Sequence, residues 1–255
     1  RMIIRPQVGP QEKFLSTSAD ICIFGAGAGV GKSYALLMEP LRHINNPNFG
    51  AVCFRRTMPQ LTTEGGLWDT AGQLYSGLSK PVESPQHKHV FKSGSKVTFS
   101  HLQYDKTVRD WDGSQIPLIL FDELQHFTED QFFKLLARNR STCGVRPYVR
   151  ATCNPDPDSF LREFLKWWID QESGYPIEER SGIIRYMIRV KGEIFWADSE
   201  KELEEMFPFE KIPAKSVTFI PAKLSDNPAL TTADPGYIAN LRALPEYEQK
   251  RLIGG

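Results

Sequence analysis

The chain has 255 residues, with 31 lysines and arginines balanced by 31 aspartates and glutamates, 40% apolar residues and 24% charged ones. These are the shares of a soluble globular protein with a proper core, long enough for one large α/β domain with an appendage or for two small domains. The balanced charge gives no overall positive field to draw in nucleic acid, so such binding would need a local basic patch.

The apolar runs alternate between strand and helix in chain order. Residues 21–24 (Ile-Cys-Ile-Phe) predict a buried strand, and 33–44 a helix that Pro40 should kink or break. Residues 51–56 form a second strand ending in two arginines, and 90–92 and 96–99 read as a hairpin joined through Ser93-Gly94-Ser95. The wholly apolar 118–121 suits a strand buried inside a parallel sheet. Thr128 and Gln131 make a capping box for a helix running to about residue 139, followed by a strand at 148–152. Strands separated by helices predict a parallel sheet with right-handed crossovers.

After residue 154 the texture changes. A helix is expected over 159–170 with Trp167-Trp168 near its end, then a second hairpin of 184–190 and 193–196 around Lys191-Gly192. From residue 226 the pattern is helical, with Leu241, Leu244, Leu252 and Ile253 apolar. We therefore expect a core over 1–224 and a small helical lid or linker over 225–255, hinged at Asp226-Asn227-Pro228. Arg1 is not an initiator Met and the helical pattern runs to the last residues, which leads us to expect a further domain beyond them. Cys22, Cys53, Cys143 and Cys153 form no CxxC, and Cys22 and Cys53 read as buried thiols. Without a signal peptide or a membrane-length apolar run, the expected setting is a reducing cytoplasm.

The chemistry concentrates where the first strand ends. Gly25-Ala26-Gly27-Ala28-Gly29-Val30-Gly31-Lys32-Ser33 enters a glycine-rich loop and places Lys-Ser where a helix begins. Glycines let successive amides turn toward an anion, and the helix start adds unpaired N–H groups. Gly27, Ala28, Gly29, Val30 and Gly31 would cradle the phosphates of ATP, Lys32 would reach the β- and γ-phosphates, and the Ser33 hydroxyl would hold Mg²⁺. Ala26 stands at the first glycine of the strict phosphate-loop pattern, a position whose permissive form accepts alanine. An ordinary glycine-rich turn would not need Gly-Lys-Ser after an apolar strand.

Leu118-Ile119-Leu120-Phe121-Asp122-Glu123 supplies the second half of a hydrolytic site. Two carboxylates emerge at the C-terminal edge of a buried strand, where open α/β sheets place their ligands. Asp122 should hold Mg²⁺, directly or through water, and Glu123 should act as general base on the attacking water. Asn154, in Ala151-Thr152-Cys153-Asn154-Pro155, ends the next strand on the same edge, where it could touch the γ-phosphate or the attacking water; Asn-Pro is also an ordinary turn signal. No arginine in an adjacent motif is expected to neutralise charge in cis.

This ordered set resembles the ATPase domain of the large terminase subunit of tailed bacteriophages. The resemblance rests on Pro10-Gln11-Glu12-Lys13-Phe14-Leu15, the phosphate loop, Phe54-Arg55-Arg56-Thr57, Leu120-Phe121-Asp122-Glu123, Thr152-Cys153-Asn154-Pro155 and Phe219-Ile220-Pro221-Ala222 leading to Asp226-Asn227-Pro228, and covers essentially the whole chain. It implies a P-loop NTPase fold, α/β with a mostly parallel central sheet flanked by helices and a small C-terminal helical lid. It also implies an ATP-driven motor that pumps double-stranded DNA into a procapsid as a homo-oligomeric ring, a pentamer, on the portal protein, with a small terminase subunit as partner, in the cytoplasm of the infected bacterial host. The family's C-terminal nuclease domain would follow this chain, and we assign no nuclease activity to these residues.

By position, the resemblance matches Gln11 to the family's adenine-contacting glutamine, against the plain alternative of a solvated helix residue. Ala28 stands where many relatives carry a basic residue. Arg109, in Val108-Arg109-Asp110-Trp111, matches the region of a trans-acting arginine, and Arg138, Arg140, Arg146 and Arg150 compete for that role. A helicase-like or repair P-loop ATPase is the alternative within enzymes, although Asp-Glu is followed here by Leu124-Gln125. A slow nucleotide-dependent assembly switch is the alternative outside them.

Overall fold

In the computed structural model, residues 8–26, 31–102, 111–154 and 156–222 are described. The expected lid over 225–255 lies outside them. Helix α1 (Pro10–Ser16) leads into β1 (Ile21–Ala26), α2 (Lys32–Met38), a 3₁₀ turn (Glu39–His43) and β2 (Gly50–Arg55). Two short helices, α3 (Met58–Thr62) and α4 (Leu67–Leu74), precede β3 (Ser79–Val82), β4 (Lys88–Phe91) and β5 (Lys96–His101). Then come β6 (Leu118–Phe121), α5 (Glu129–Leu136), β7 (Tyr148–Cys153), α6 (Leu161–Phe164), β8 (Arg185–Val190), β9 (Glu193–Ala197), α7 (Glu200–Met206) and β10 (Lys215–Ala222).

The ten strands of the described residues join one sheet in the order β3-β4-β5-β2-β6-β7-β1-β10-β8-β9. The six central strands, β5 through β10 in that order, pair in parallel, and antiparallel hairpins flank them on both sides. The mostly parallel α/β sheet expected from the sequence is therefore the observed one. Successive side chains of a strand point to opposite faces, which divides the core. Cys22, Phe24, Cys53 and Leu120 pack with α2 and α4 on one face. Ile21, Ile23, Ile119 and Phe121 pack with α5, α6 and Trp168 on the other. Being covered on both faces, β6 is buried at all four positions, as its wholly apolar sequence demands.

Local signals explain several boundaries. Pro40 cannot donate an amide to a continuing α-helix, and the chain passes from α2 into a 3₁₀ turn one residue before it. The Thr128–Gln131 capping box forms in both directions at the start of α5. Gly25 is fixed by close packing, because a Cβ there would run into the Phe219 ring of the neighbouring β10.

One expectation is corrected and another extended. The helix over 159–170 is only the four residues of α6, after which the chain turns. Leu161, Phe164, Leu165 and Trp168 are buried at helical spacing, but Trp168 Nε1 donates to the Ile183 carbonyl and Arg180 donates to that of Trp167. Those cross-links take the backbone away from a longer helix. Residues 96–99 do form a hairpin with β4, yet β5 is also a parallel neighbour of β2 and part of the main sheet. Among the described residues no helix is long and apolar enough to cross a membrane.

Candidate nucleotide site

The strand order brings four segment ends to one edge of the sheet. Adjacent parallel strands β2, β6, β7 and β1 deliver Arg55, Asp122-Glu123, Asn154 and the Gly31-Lys32-Ser33 turn to their shared C-terminal side. Ser33 lies in the first turn of α2, and its Oγ donates to Asp122 Oδ1 at 3.1 Å. Asp122 is 1% exposed, and the Thr152 hydroxyl donates to the same Oδ1 at 2.7 Å. Arg55 Nε donates to Oδ2 at 2.9 Å. A buried carboxylate is thus held on both oxygens by neighbours on three segments.

Glu123 leaves β6 with φ 57 and ψ 61, a left-handed conformation uncommon outside glycine. Its amide donates to Thr152 Oγ1 at 2.9 Å. The turn swings the side chain off the strand axis, so that Oε2 lies 3.3 Å from Arg55 Nη2 and 3.3 Å from His126 Nδ1. Arg55 also donates from Nη1 to the Gln60 carbonyl, so one guanidinium ties both acids to α3. No arginine in an adjacent motif is expected from the sequence to neutralise charge in cis; Arg55 does stand beside both acids in the same chain, bound to their carboxylates. The signal in the sequence was a strand ending in Arg-Arg, but its contact with Asp122 spans 67 residues and needs the β2–β6 pairing. The next residue, Arg56, donates to the His126 carbonyl and to Gln131 Oε1.

Lys32 Nζ donates to Asn154 Oδ1 at 2.6 Å, and the Asn154 amide donates to Gln125 Oε1 at 3.0 Å. Burial pushes the Lys32 ammonium below its ordinary pKa, opposed by the Asp122 and Glu123 charges. Gln11 is 4% exposed rather than solvated, and its Nε2 donates to the Gly31 carbonyl at 3.2 Å, against the end of the phosphate loop. The structure thus brings Gln11, Gly31, Lys32, Ser33, Asp122, Glu123 and Asn154 to one edge. Gly27, Ala28, Gly29, Val30 and Arg109 lie outside the described residues.

The other arginine candidates sit at the opposite edge. Arg150 is 4% exposed and donates to the carbonyls of Thr17, Ala19 and Val149, which occupies it structurally. Arg146 pairs with Asp20 at 2.8 Å, just before β1. The Arg138 carbonyl accepts from the Ile116 amide ahead of β6, and Arg140 lines a cleft beside Gly50 and Pro117.

The donor set is oxygen-rich: a serine hydroxyl and one buried carboxylate in contact suit a hard ion such as Mg²⁺, which keeps most of its ligands as waters and phosphates. Among the described residues no group of three or more His, Cys, Asp or Glu could hold a metal by itself.

A family model described as terminase large subunit, T4likevirus-type, N-terminal, matches residues 23–255. Among solved structures, a large terminase from a thermophilic bacteriophage aligns with a TM-score of 0.63 at 15% identity, over 98% of this chain and 54% of that one. The same phage's large terminase in complex with ATP-γ-S aligns with a TM-score of 0.57 at 17% identity, over 98% and 53%. The large terminase ATPase domain of Thermus phage P74-26 aligns with a TM-score of 0.54 at 14% identity, over 96% and 92%. These identities speak for the fold alone. The chain spans about half the length of the first of these terminases. No curated protein matches it.

Proposed function

The chain belongs to the family of N-terminal domains of terminase large subunits, and we propose that it is the ATP-hydrolysing motor domain of a viral DNA-packaging terminase. The observation that carries this reading is the 3.1 Å contact between Ser33 Oγ and Asp122 Oδ1, which joins the helix start after the phosphate loop to the acid of the neighbouring strand. Two such oxygens side by side are what a magnesium–nucleotide complex requires, and Lys32 and Glu123 flank them.

Bound ATP and Mg²⁺ would supply the phosphoryl group and a bridging charge. Ser33 and Asp122 would ligate the ion, and Gln11 would meet the adenine. Gly27, Ala28, Gly29, Val30 and Gly31 would give backbone amides to the phosphates. Lys32 would exchange its Asn154 partner for phosphate oxygens, which leaves the Asn154 amide group to report on the γ-phosphate or the attacking water. Glu123 would accept the proton of that water, while Arg55 holds its carboxylate in place. Arg109 of a neighbouring copy would stabilise charge on the transferring group.

The domain reading is a core over 1–224 and a lid or linker over 225–255, without nuclease activity in these residues. Double-stranded DNA, the portal protein, a small terminase subunit and four further copies in a ring are the proposed partners, in the cytoplasm of the infected host. The deciding experiment measures ATP affinity and phosphate release in Glu123→Gln. Retained binding with lost hydrolysis is expected; near-normal turnover overturns the base assignment. Stimulation of the full-length protein's ATPase by double-stranded DNA separates a motor from an assembly switch, and dependence on capsids separates packaging from helicase action.

A further inference from the structure

The two ends of the ten-stranded sheet carry opposite charge. Between residues 79 and 96, at the β3–β5 end, four lysines stand against one carboxylate, Glu83. Strand register opposes Lys80 to Val90 and Val90 to Lys96, with Lys88 two residues from Val90, so Lys80, Lys88 and Lys96 share one face. Between residues 193 and 210, at the β9 end where α7 packs, seven carboxylates stand against one lysine, Lys201. Apart from Asp198, which pairs with Arg185, no ion pair among the described residues uses these charges.

The acidic end also presents apolar side chains to solvent: Met206 is 53% exposed, Phe209 95% and Ile212 43%. Isolated exposed apolar residues are ordinary, but three within seven positions form a patch. The surrounding carboxylates repel the phosphates of nucleic acid, so a protein surface fits here and DNA does not. Charge of either sign guards a sheet edge against pairing with another edge. The same sign at both ends would serve that purpose and also keep copies apart, whereas opposite signs draw copies together end to end.

We propose that the β9–α7 end of one copy docks on the β3–β5 end of the next, with Glu200 and Glu204 facing Lys80 and Lys88 and Phe209 covered at the junction. The contact is head-to-tail, and such a contact repeated either closes into a ring or continues as a filament. The inference deepens the ring reading above and rests on it only for closure. Exposed ion pairs are individually weak, so the contact forms at high local concentration and the dilute chain is a monomer.

The test uses two variants whose ends no longer complement themselves. Lys80→Glu with Lys88→Glu sets acid against acid at the proposed pairing, and Glu200→Lys with Glu204→Lys sets base against base there. Sedimentation equilibrium at low ionic strength should show the wild-type chain associating as its concentration rises, and each variant alone associating at least about tenfold more weakly. An equimolar mixture of the two should recover wild-type association, and added salt should weaken both the wild type and the mixture. Phe209→Ser should weaken association at every salt concentration. Circular dichroism confirms that the variants fold. A wild-type chain that stays monomeric at its solubility limit, a variant that associates like the wild type, or a mixture that does not recover overturns the assignment. None of these outcomes touches the nucleotide reading, which Glu123→Gln decides separately.

Discussion

The two edges of the central parallel strands bury polar side chains in different ways. At the N-terminal edge these groups close largely on backbone: Arg150 on three carbonyls, and Asn139 Nδ2 on those of Ile116, Pro117 and Tyr148. Asp20 accepts from the Ser216 amide, and its own amide donates to the Ser216 hydroxyl. At the C-terminal edge, side chains close mainly on one another: Lys32 on Asn154, Ser33 and Thr152 on Asp122, Arg55 on both acids. A bond to a backbone carbonyl can be exchanged only by moving a strand. A bond between side chains can be exchanged by a rotamer change, so a ligand can take over one partner without disturbing the fold. The first edge is built to stay and the second to be rearranged.

The sharpest way to break this contrast is at the C-terminal edge. Glu123→Gln keeps the shape of the side chain but removes the group that accepts a proton. It should lower the rate of ATP hydrolysis by about 10²–10⁴-fold while leaving ATP affinity and thermal stability near wild type. Lys32→Ala should instead lose ATP affinity, measured by nucleotide titration, because the amine that meets the phosphates is gone.

Arg55→Ala probes the shared guanidinium. A charge-assisted hydrogen bond contributes about 1.5–3 kcal/mol, so kcat should fall roughly ten- to a hundredfold, with the ATP KM changing less. Arg55→Lys should restore little, since one ammonium cannot bridge Asp122, Glu123 and the Gln60 carbonyl in the geometry of a planar fork. An equal loss in kcat from Arg56→Ala would show that the whole β2–α3 turn, rather than Arg55, holds the base.

At the N-terminal edge the same kind of change should act only on stability. Arg150→Met strands the carbonyls of Thr17, Ala19 and Val149, which should cost about 1.5–3 kcal/mol in denaturant unfolding. Turnover per folded molecule should stay unchanged. A loss of turnover larger than the loss of folded protein would mean that the two edges are coupled through β7, which runs from one to the other.

The sequence carried the local half of this picture. Strand 118–121, the Thr128 capping box and the hairpin around Lys191-Gly192 are written in runs of a few residues, and the structure has them where the sequence puts them. The site residues Lys32, Ser33, Asp122 and Glu123 stood out because phosphate and metal chemistry demand fixed spacing. Long-range facts were not readable. β10 lies parallel to β1 across nearly 200 residues, and no strand is expected there from the sequence; Pro221 is the partner of Gly25 near the strand's end. Arg55 became a site residue only once β2 was placed beside β6. The periodicity of Leu161, Phe164, Leu165 and Trp168 suggested a long helix because burial at that spacing does not require helical hydrogen bonds.

The smallest effect expected lies away from both edges, and it tests whether stability can be titrated without touching the site. His89 in β4 is 2% exposed, set among Trp68, Tyr75 and Phe99, with Nδ1 on the Ser79 hydroxyl at 2.8 Å and no partner on Nε2. Burial lowers its pKa from 6.5 to about 4. The folded protein therefore holds the neutral imidazole, while the unfolded chain takes up a proton below 6.5. The stability from this group is fully present above pH 6.5 and is lost as the pH falls toward about 4. The loss should be about 1 kcal/mol at about pH 5.5. His43, which burial also shifts downward, adds a slope of the same sign. Unfolding midpoints measured across this window should fall less steeply in His89→Phe, which keeps an aromatic ring but has nothing to protonate. If the slope is the same in both proteins, His89 is not the group responsible, and the aromatic cage must open enough to hydrate the imidazolium.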